Sequence, residues 1–217
     1  MISNSNYFNM HKSILEVLTV LAIIGLSFVV YILLTIKIDK AYIDNSTAVF
    51  LIFLPSIYYI YKKDSIKFKL NIKKTISKKY TIIGILIFST LCLLNNAWID
   101  SNYRSEDIVY LKSYTLIGLI IYLIVICIIA PIIEEILFRY YIYDSIKLDG
   151  GIVVAYIISN ALFVGFHILD SGYLGNIALQ GIIYTFIYEK SKSIKSSIVV
   201  HIFNNSIWFL IIFLHGK

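Results

Sequence analysis

An all-α polytopic membrane bundle of about seven transmembrane helices is the fold this sequence predicts. Three observations lead there. The chain of 217 residues is 59% hydrophobic and 15% charged, against about 45–50% and about 25% in soluble domains. Several apolar runs exceed the roughly 18 residues that mark a membrane-crossing helix, and mean hydropathy over the chain is +0.82. The runs are continuously apolar, whereas the strands of a membrane barrel alternate.

The first run, Ile14 to Ile36, is too long for a signal-peptide core and has no small-residue cleavage pattern behind it, so it reads as a retained helix. Further spans follow at 43–61, 80–98, 114–138, 152–169, 175–189 and 197–214. The fourth continues helically to about Lys147 and forms a hairpin with the fifth through the turn Leu148-Asp149-Gly150-Gly151. Segment 62–79 carries Lys62, Lys63, Lys67, Lys69, Lys73, Lys74, Lys78 and Lys79, and alternation puts Lys12, Lys147, Lys190, Lys192 and Lys195 on the same side. The opposite side holds only Lys37, Lys40, Arg104, Lys112 and Lys217. The lysine-rich side is therefore expected in the cytoplasm, with the N-terminus inside and the C-terminus outside.

That bias also explains the net charge of +6 by contact with anionic lipid rather than with nucleic acid. As a topology signal, segment 62–79 needs to be neither an amphipathic interfacial helix nor a polybasic regulatory tail, the two other readings its composition allows. Residues 99–113, with Asp100, Glu106 and Asp107 among them, read as a solvated external loop. Tyr58, Tyr59, Tyr61, Tyr80, Tyr140, Tyr141 and Tyr143 gather at span ends, the place of interfacial anchors. Cys92 and Cys127 lie in different apolar runs without partner spacing and are expected as buried free thiols. His11 and His215 sit in the terminal tails.

Charge inside the fourth span is what the other spans must accommodate. Pro131-Ile132-Ile133-Glu134-Glu135-Ile136-Leu137-Phe138-Arg139 closes an apolar run from Leu116, and an ionisable residue at mid-bilayer costs about 2.5–3.5 kcal/mol on insertion scales. Such residues face a protein interior. Glu135 and Arg139 stand at i, i+4 with the acid first, the favourable order for an ion pair, while Glu134 is turned about 100° away. Pro131 cannot donate to the carbonyl of Cys127, so the helix is expected to be disturbed just before the carboxylates.

Two more polar pairs share helix faces at i, i+4: Phe163 with His167, and His201 with Asn205. Gly165 is expected to let a neighbouring backbone come close, and Asn204 to bond across helices as a packing amide. Counting back equally from the hairpin turn puts His167 within ~3 Å of the level of Glu134. A carboxylate in an apolar pocket is an effective base for water. A histidine orients that water, and a second histidine with an amide can donate to the oxyanion of a hydrated peptide carbonyl.

Glu-Glu-x-x-x-Arg, Phe-x-x-x-His and His-x-x-x-Asn, in this order and each in its own apolar run, resemble the CPBP family. That family comprises the type II CAAX prenyl endopeptidases and the bacterial Abi and bacteriocin-processing or immunity proteins. The resemblance covers about residues 114–214, as an intramembrane catalytic domain, and leaves 1–113 as N-terminal membrane helices with a basic loop. It implies a glutamate-dependent endopeptidase with Glu134 as base, His167 holding water, and His201 with Asn205 as oxyanion donors. Glu135, Arg139 and Phe163 support them. Tyr140 follows the arginine where the family often has a small residue.

The resemblance leaves open a divalent metal such as zinc at Glu134, His167 and His201, although no His-Glu-x-x-His is present. Gly-x-Ser-x-Gly is absent as well; Leu148-Asp149-Gly150 is similar to the second motif of site-2 proteases but lacks the first, and Tyr143-Asp144 lacks the second aspartate motif of intramembrane aspartyl proteases. A non-catalytic immunity or scaffold protein that binds through the same polar pocket is the alternative, and a small transporter a third. The expected partners are membrane lipid and a membrane-associated peptide or protein substrate. The Ile-, Lys- and Asn-rich composition points to the cytoplasmic membrane of an AT-rich bacterium.

Overall fold

The computed structural model describes residues 4–37, 45–95, 114–168 and 174–215, and all regular structure among them is helical. The helices are α1 (Asn4–Lys37), α2 (Asn45–Lys63), α3 (Ser65–Lys73), α4 (Lys78–Asn95), α5 (Leu116–Ile124), α6 (Ala130–Glu134), α7 (Asp144–Phe166), α8 (Leu174–Ser191) and α9 (Ile194–His215). Two π-wound segments, Val125–Ile129 and Glu135–Tyr143, join α5 to α6 and α6 to α7 without a break. Helices thus occupy all seven expected places. Ile14–Leu34, Leu116–Phe166 and Ile194–Ile211 are long and apolar enough to cross a membrane, and α3 with α4 passes only as a pair bent by 82°. The expected loop at 99–113 lies outside the described residues.

The hairpin turn falls where its glycines are. Gly151 has φ 77° and ψ 176° inside α7, a left-handed backbone that a side chain would strain. Everything from Leu116 to Gly150 is one rod, and the chain returns from residue 152.

Lipid is as apolar as leucine, so these helices associate through close backbone approach and polar contacts rather than by leaving water. Gly165 does not serve that purpose. It is exposed with open space beside it, because it faces away from the bundle on the last turn of α7. The close approaches are at Gly84, where a Cβ would come within 2.7 Å of Val200, and at Gly181, where it would meet Asn160 Oδ1 at 2.6 Å and Phe163 at 3.0 Å. Gly181→Ala is expected to destabilise the protein by about 1–3 kcal/mol by overpacking, and Gly165→Ala to be neutral or slightly stabilising. Thermal unfolding in detergent compares the two; equal midpoints would contradict the assignment.

One buried cluster runs through both halves of the chain, from Val17, Val20 and Ile24 in α1 to Val200 in α9. At its centre is Glu135–Tyr143, where every residue is buried. Tyr140, Tyr141 and Tyr143 are therefore core residues, at 1%, 2% and 0% exposure, and not interfacial anchors. Tyr58 and Tyr61 do stay exposed. Segment 62–79 is more than a charge signal: α3 folds with its lysines, placing Phe68 edge-on to Tyr140 at 5.3 Å and Asn71 against the Tyr188 hydroxyl at 3.2 Å. Cys92 and Cys127 are buried free thiols.

Candidate active site

The adjacent carboxylates diverge, as helical rotation requires. Glu135 is fully buried, and its Oε1 meets Arg139 Nη1 at 3.3 Å and His201 Nδ1 at 3.0 Å. Arg139 is equally enclosed; Nη2 donates to the carbonyl of Gly181 at 3.1 Å, and the guanidinium lies 4.4 Å from the ring of Phe163. This arginine thus ties α8 and α7 to the carboxylate. Glu134 turns into the space between α7 and α9, with its side chain 15% exposed.

His167 ends α7, and its Nδ1 bonds the carbonyl of Phe163 at 2.8 Å. A carbonyl only accepts, so Nδ1 carries the hydrogen and Nε2 of the neutral ring is an acceptor. Phe163 lies against this ring at 4.7 Å and is the spacer between His167 and Arg139. On α9, His201 gives Nδ1–H to Glu135, and its ring stacks on Tyr184 at 4.1 Å and 20°. Both free Nε2 atoms point toward Glu134. The Glu134 Oε2 lies 3.9 Å from His167 Nε2 and 3.8 Å from His201 Nε2. It is buried with no hydrogen-bond partner among the described residues. These separations are too long for direct hydrogen bonds and leave room for one small oxygen held to one side of all three atoms.

Asn205, four residues beyond His201 on α9, is held one stretch earlier on the rod, beside the proline. Ala130 N–H bonds Val125 O in the π register, so the next N–H would serve Ile126, and Pro131 has none to give. The carbonyl left without its donor is that of Ile126, not Cys127 as an α register implies. Asn205 Nδ2 donates to it at 3.1 Å. The amide keeps a second N–H and its Oδ1. Asn204 is the packing amide expected, donating to the Tyr184 hydroxyl at 2.8 Å.

Residues 116–207 match the family described as Type II CAAX prenyl endopeptidase Rce1-like, and that range holds every motif residue from Glu134 to Asn205. The chain carries an Rce1-like segment. Similar to it is the UPF0177 protein YxdF of Lactococcus lactis subsp. lactis (strain IL1403), 39% identical over 74 residues, 34% of this chain and 40% of that protein. The chain thus spans less than half the length of that relative. No solved structure matches. Residues 116–207 are thus similar to the type II CAAX prenyl endopeptidases, and with the helices that are long and apolar enough to cross a membrane they support an integral membrane protein.

Among the described residues no group of three or more His, Cys, Asp or Glu is arranged to hold a metal ion. The 3.8 and 3.9 Å separations around Glu134 are wider than the about 3.4 Å between two ligands of a tetrahedral zinc. The Rce1-like segment also uses residues that spacing did not reveal. Gly181 supplies the carbonyl for Arg139 and also accepts from Thr185 Oγ1 at 2.9 Å. Tyr184 backs His201. Their only trace in the sequence is a glycine and an aromatic at i, i+3 in an otherwise unremarked span.

Proposed function

We propose that this chain is a glutamate-dependent intramembrane endopeptidase acting on a membrane-associated or lipidated protein or peptide precursor. The observation that carries the reading is the partnerless Glu134 Oε2 facing two imidazole nitrogens whose opposite nitrogens are already engaged. A water held there gives one hydrogen to Glu134 and the other to His167 Nε2, which leaves a lone pair for a substrate carbonyl carbon. Glu134 takes the proton as the C–O bond forms, and His201, held by Glu135 through Nδ1, is the donor from Nε2 to the oxyanion. Asn205 donates its spare N–H to the same oxygen. The tetrahedral adduct then breaks its C–N bond, and the proton on Glu134 passes to the departing amine. No bond to the enzyme forms at any stage.

The test is a comparison of the peptides released from membranes carrying the native chain with those carrying Glu134→Gln. Products confined to the native chain are expected; identical products would end the reading. Because every step uses protein groups and water, chelation with EDTA is expected to leave the rate of cleavage unchanged. A loss that zinc restores would transfer the role of base to a metal-bound water.

A further inference from the structure

The proposed chemistry makes no use of α3, yet this helix is built with two faces. Phe68 and Asn71, at i, i+3, turn inward: Phe68 packs against Tyr61 at 6.2 Å and Tyr140 at 5.3 Å, and Asn71 is buried. Ile66, Lys69 and Lys73, at i, i+3 and i+7, turn outward, with Ile66 75% exposed. Ile72 and Ile76 are exposed beside them. Acids already meet much of the basic charge nearby. Lys63 pairs with Glu16, Lys147 and Lys192 share Glu189, and Lys67 and Lys74 lie near Asp144. Lys62, Lys69, Lys73, Lys78 and Lys79 are exposed, and no acid is within ion-pair distance of them among the described residues.

Orientation decides what the outer face meets. α4 runs beside α9 in the same direction, Ser77 meeting Ser196 and Gly84 meeting Val200. α9 is long and apolar enough to cross the membrane, and α3 stands at 82° to α4. α3 thus lies close to the bilayer plane, near Tyr58 and Tyr61, which are exposed as interfacial tyrosines are. We infer that the outer face of α3 docks on an anionic phospholipid surface, with Ile66 at the acyl boundary and Lys69 and Lys73 against lipid phosphates. Isoleucines interleaved with unpaired lysines suit that boundary, whereas a soluble acidic partner would engage the lysines and leave Ile66 in water. The contact reaches the candidate site through bonds already made. Ser77 N–H donates to Ser196 Oγ at 2.9 Å, Ile194 N–H to Asn71 Oδ1 at 3.4 Å, and Asn71 Nδ2 to the Tyr188 hydroxyl at 3.2 Å. They hold the first turn of α9, about 10 Å along the helix from His201. This coupling to cleavage rests on the peptidase reading; the docking does not.

The test places a dye on the outer face. In a Cys92→Ala, Cys127→Ala background, Ile66→Cys is labelled with a nitrobenzoxadiazole probe. The protein is then reconstituted in vesicles of phosphatidylcholine, alone or mixed with phosphatidylglycerol. Emission is expected to shift to the blue, and to be quenched by nitroxide-labelled acyl chains, only with phosphatidylglycerol present. Raising KCl from about 0.1 to about 1 M, which shortens the Debye length from about 10 to about 3 Å, should reverse most of the shift. Lys69→Gln with Lys73→Gln should do the same. The dye at Leu148→Cys, exposed at the hairpin turn on the same side, should not respond. Cleavage is expected to be faster in the anionic vesicles, and Asn71→Leu to abolish that dependence while keeping the dye shift. Emission that is the same in both vesicles, an equal response at Leu148→Cys, or a shift indifferent to salt and to the two lysines would each overturn the docking. So would a shift driven by soluble polyglutamate over neutral vesicles, which would point to an acidic protein instead. A dye shift with lipid-independent cleavage overturns the coupling, and a dye shift without any cleavage sinks the peptidase reading alone.

Discussion

Glu134→Gln is expected to lower cleavage by about 10²–10⁴-fold, the usual contribution of a positioned general base, with thermal stability within a degree or two of the native protein. The expectation of unchanged stability comes from the environment. Among the described residues Glu134 makes no ion pair closer than 3.8 Å, and it is 15% exposed, so an isosteric amide loses no hydrogen bond to them. Its carboxylate is needed only when a proton must be accepted. Glu134→Asp, which withdraws the oxygen by about one carbon–carbon bond, should retain chemistry at a much reduced rate, because general-base transfer requires contact within about 2.6–3.2 Å or one water. Rates on an isolated product peptide bond, read by mass spectrometry, decide between these outcomes. A Glu134→Gln protein with native rates would leave the non-catalytic, peptide-binding alternative as the better account.

The second large effect is on stability. Arg139→Met leaves Glu135 at 0% exposure with the His201 imidazole as its remaining ion-pair partner among the described residues, and uncoupling a buried pair in this way costs about 3–5 kcal/mol. The apparent Tm in detergent is expected to fall by on the order of 10 °C. Adding Glu135→Gln should restore most of that loss, since the uncompensated charge disappears along with its partner. It should not restore cleavage, because His201 Nδ1 loses the carboxylate that holds its ring. Stability that stays low in the double variant would mean that the guanidinium acts chiefly through Gly181 and Phe163 rather than through Glu135.

What could be read from the chain was local. Glu135 with Arg139, Phe163 with His167 and the break at Gly151 follow from 3.6 residues per turn and from the backbone freedom of glycine. Helical counting from that turn was enough to set His167 near the level of Glu134. The register of Pro131 was not legible. An α-helix orphans the carbonyl four residues back, but the segment before it is π-wound, so Ile126 rather than Cys127 needs a donor. Tyr140 and its neighbours looked like anchors because their position along the chain matched a membrane edge; their burial depends on α3 and on which way the rod faces.

By itself, the sequence determined the class of molecule, a helical membrane protein, and the residues within each helix that share a face, because both depend on composition and on fixed helical periodicity. Only the tertiary structure decided that Glu135 holds His201 across 66 residues, that Asn205 reaches Ile126 across 79, and that Tyr184 stacks on His201 while its hydroxyl accepts from Asn204. Those contacts are set by the relative depth and rotation of whole rods. No spacing inside a single rod encodes either quantity.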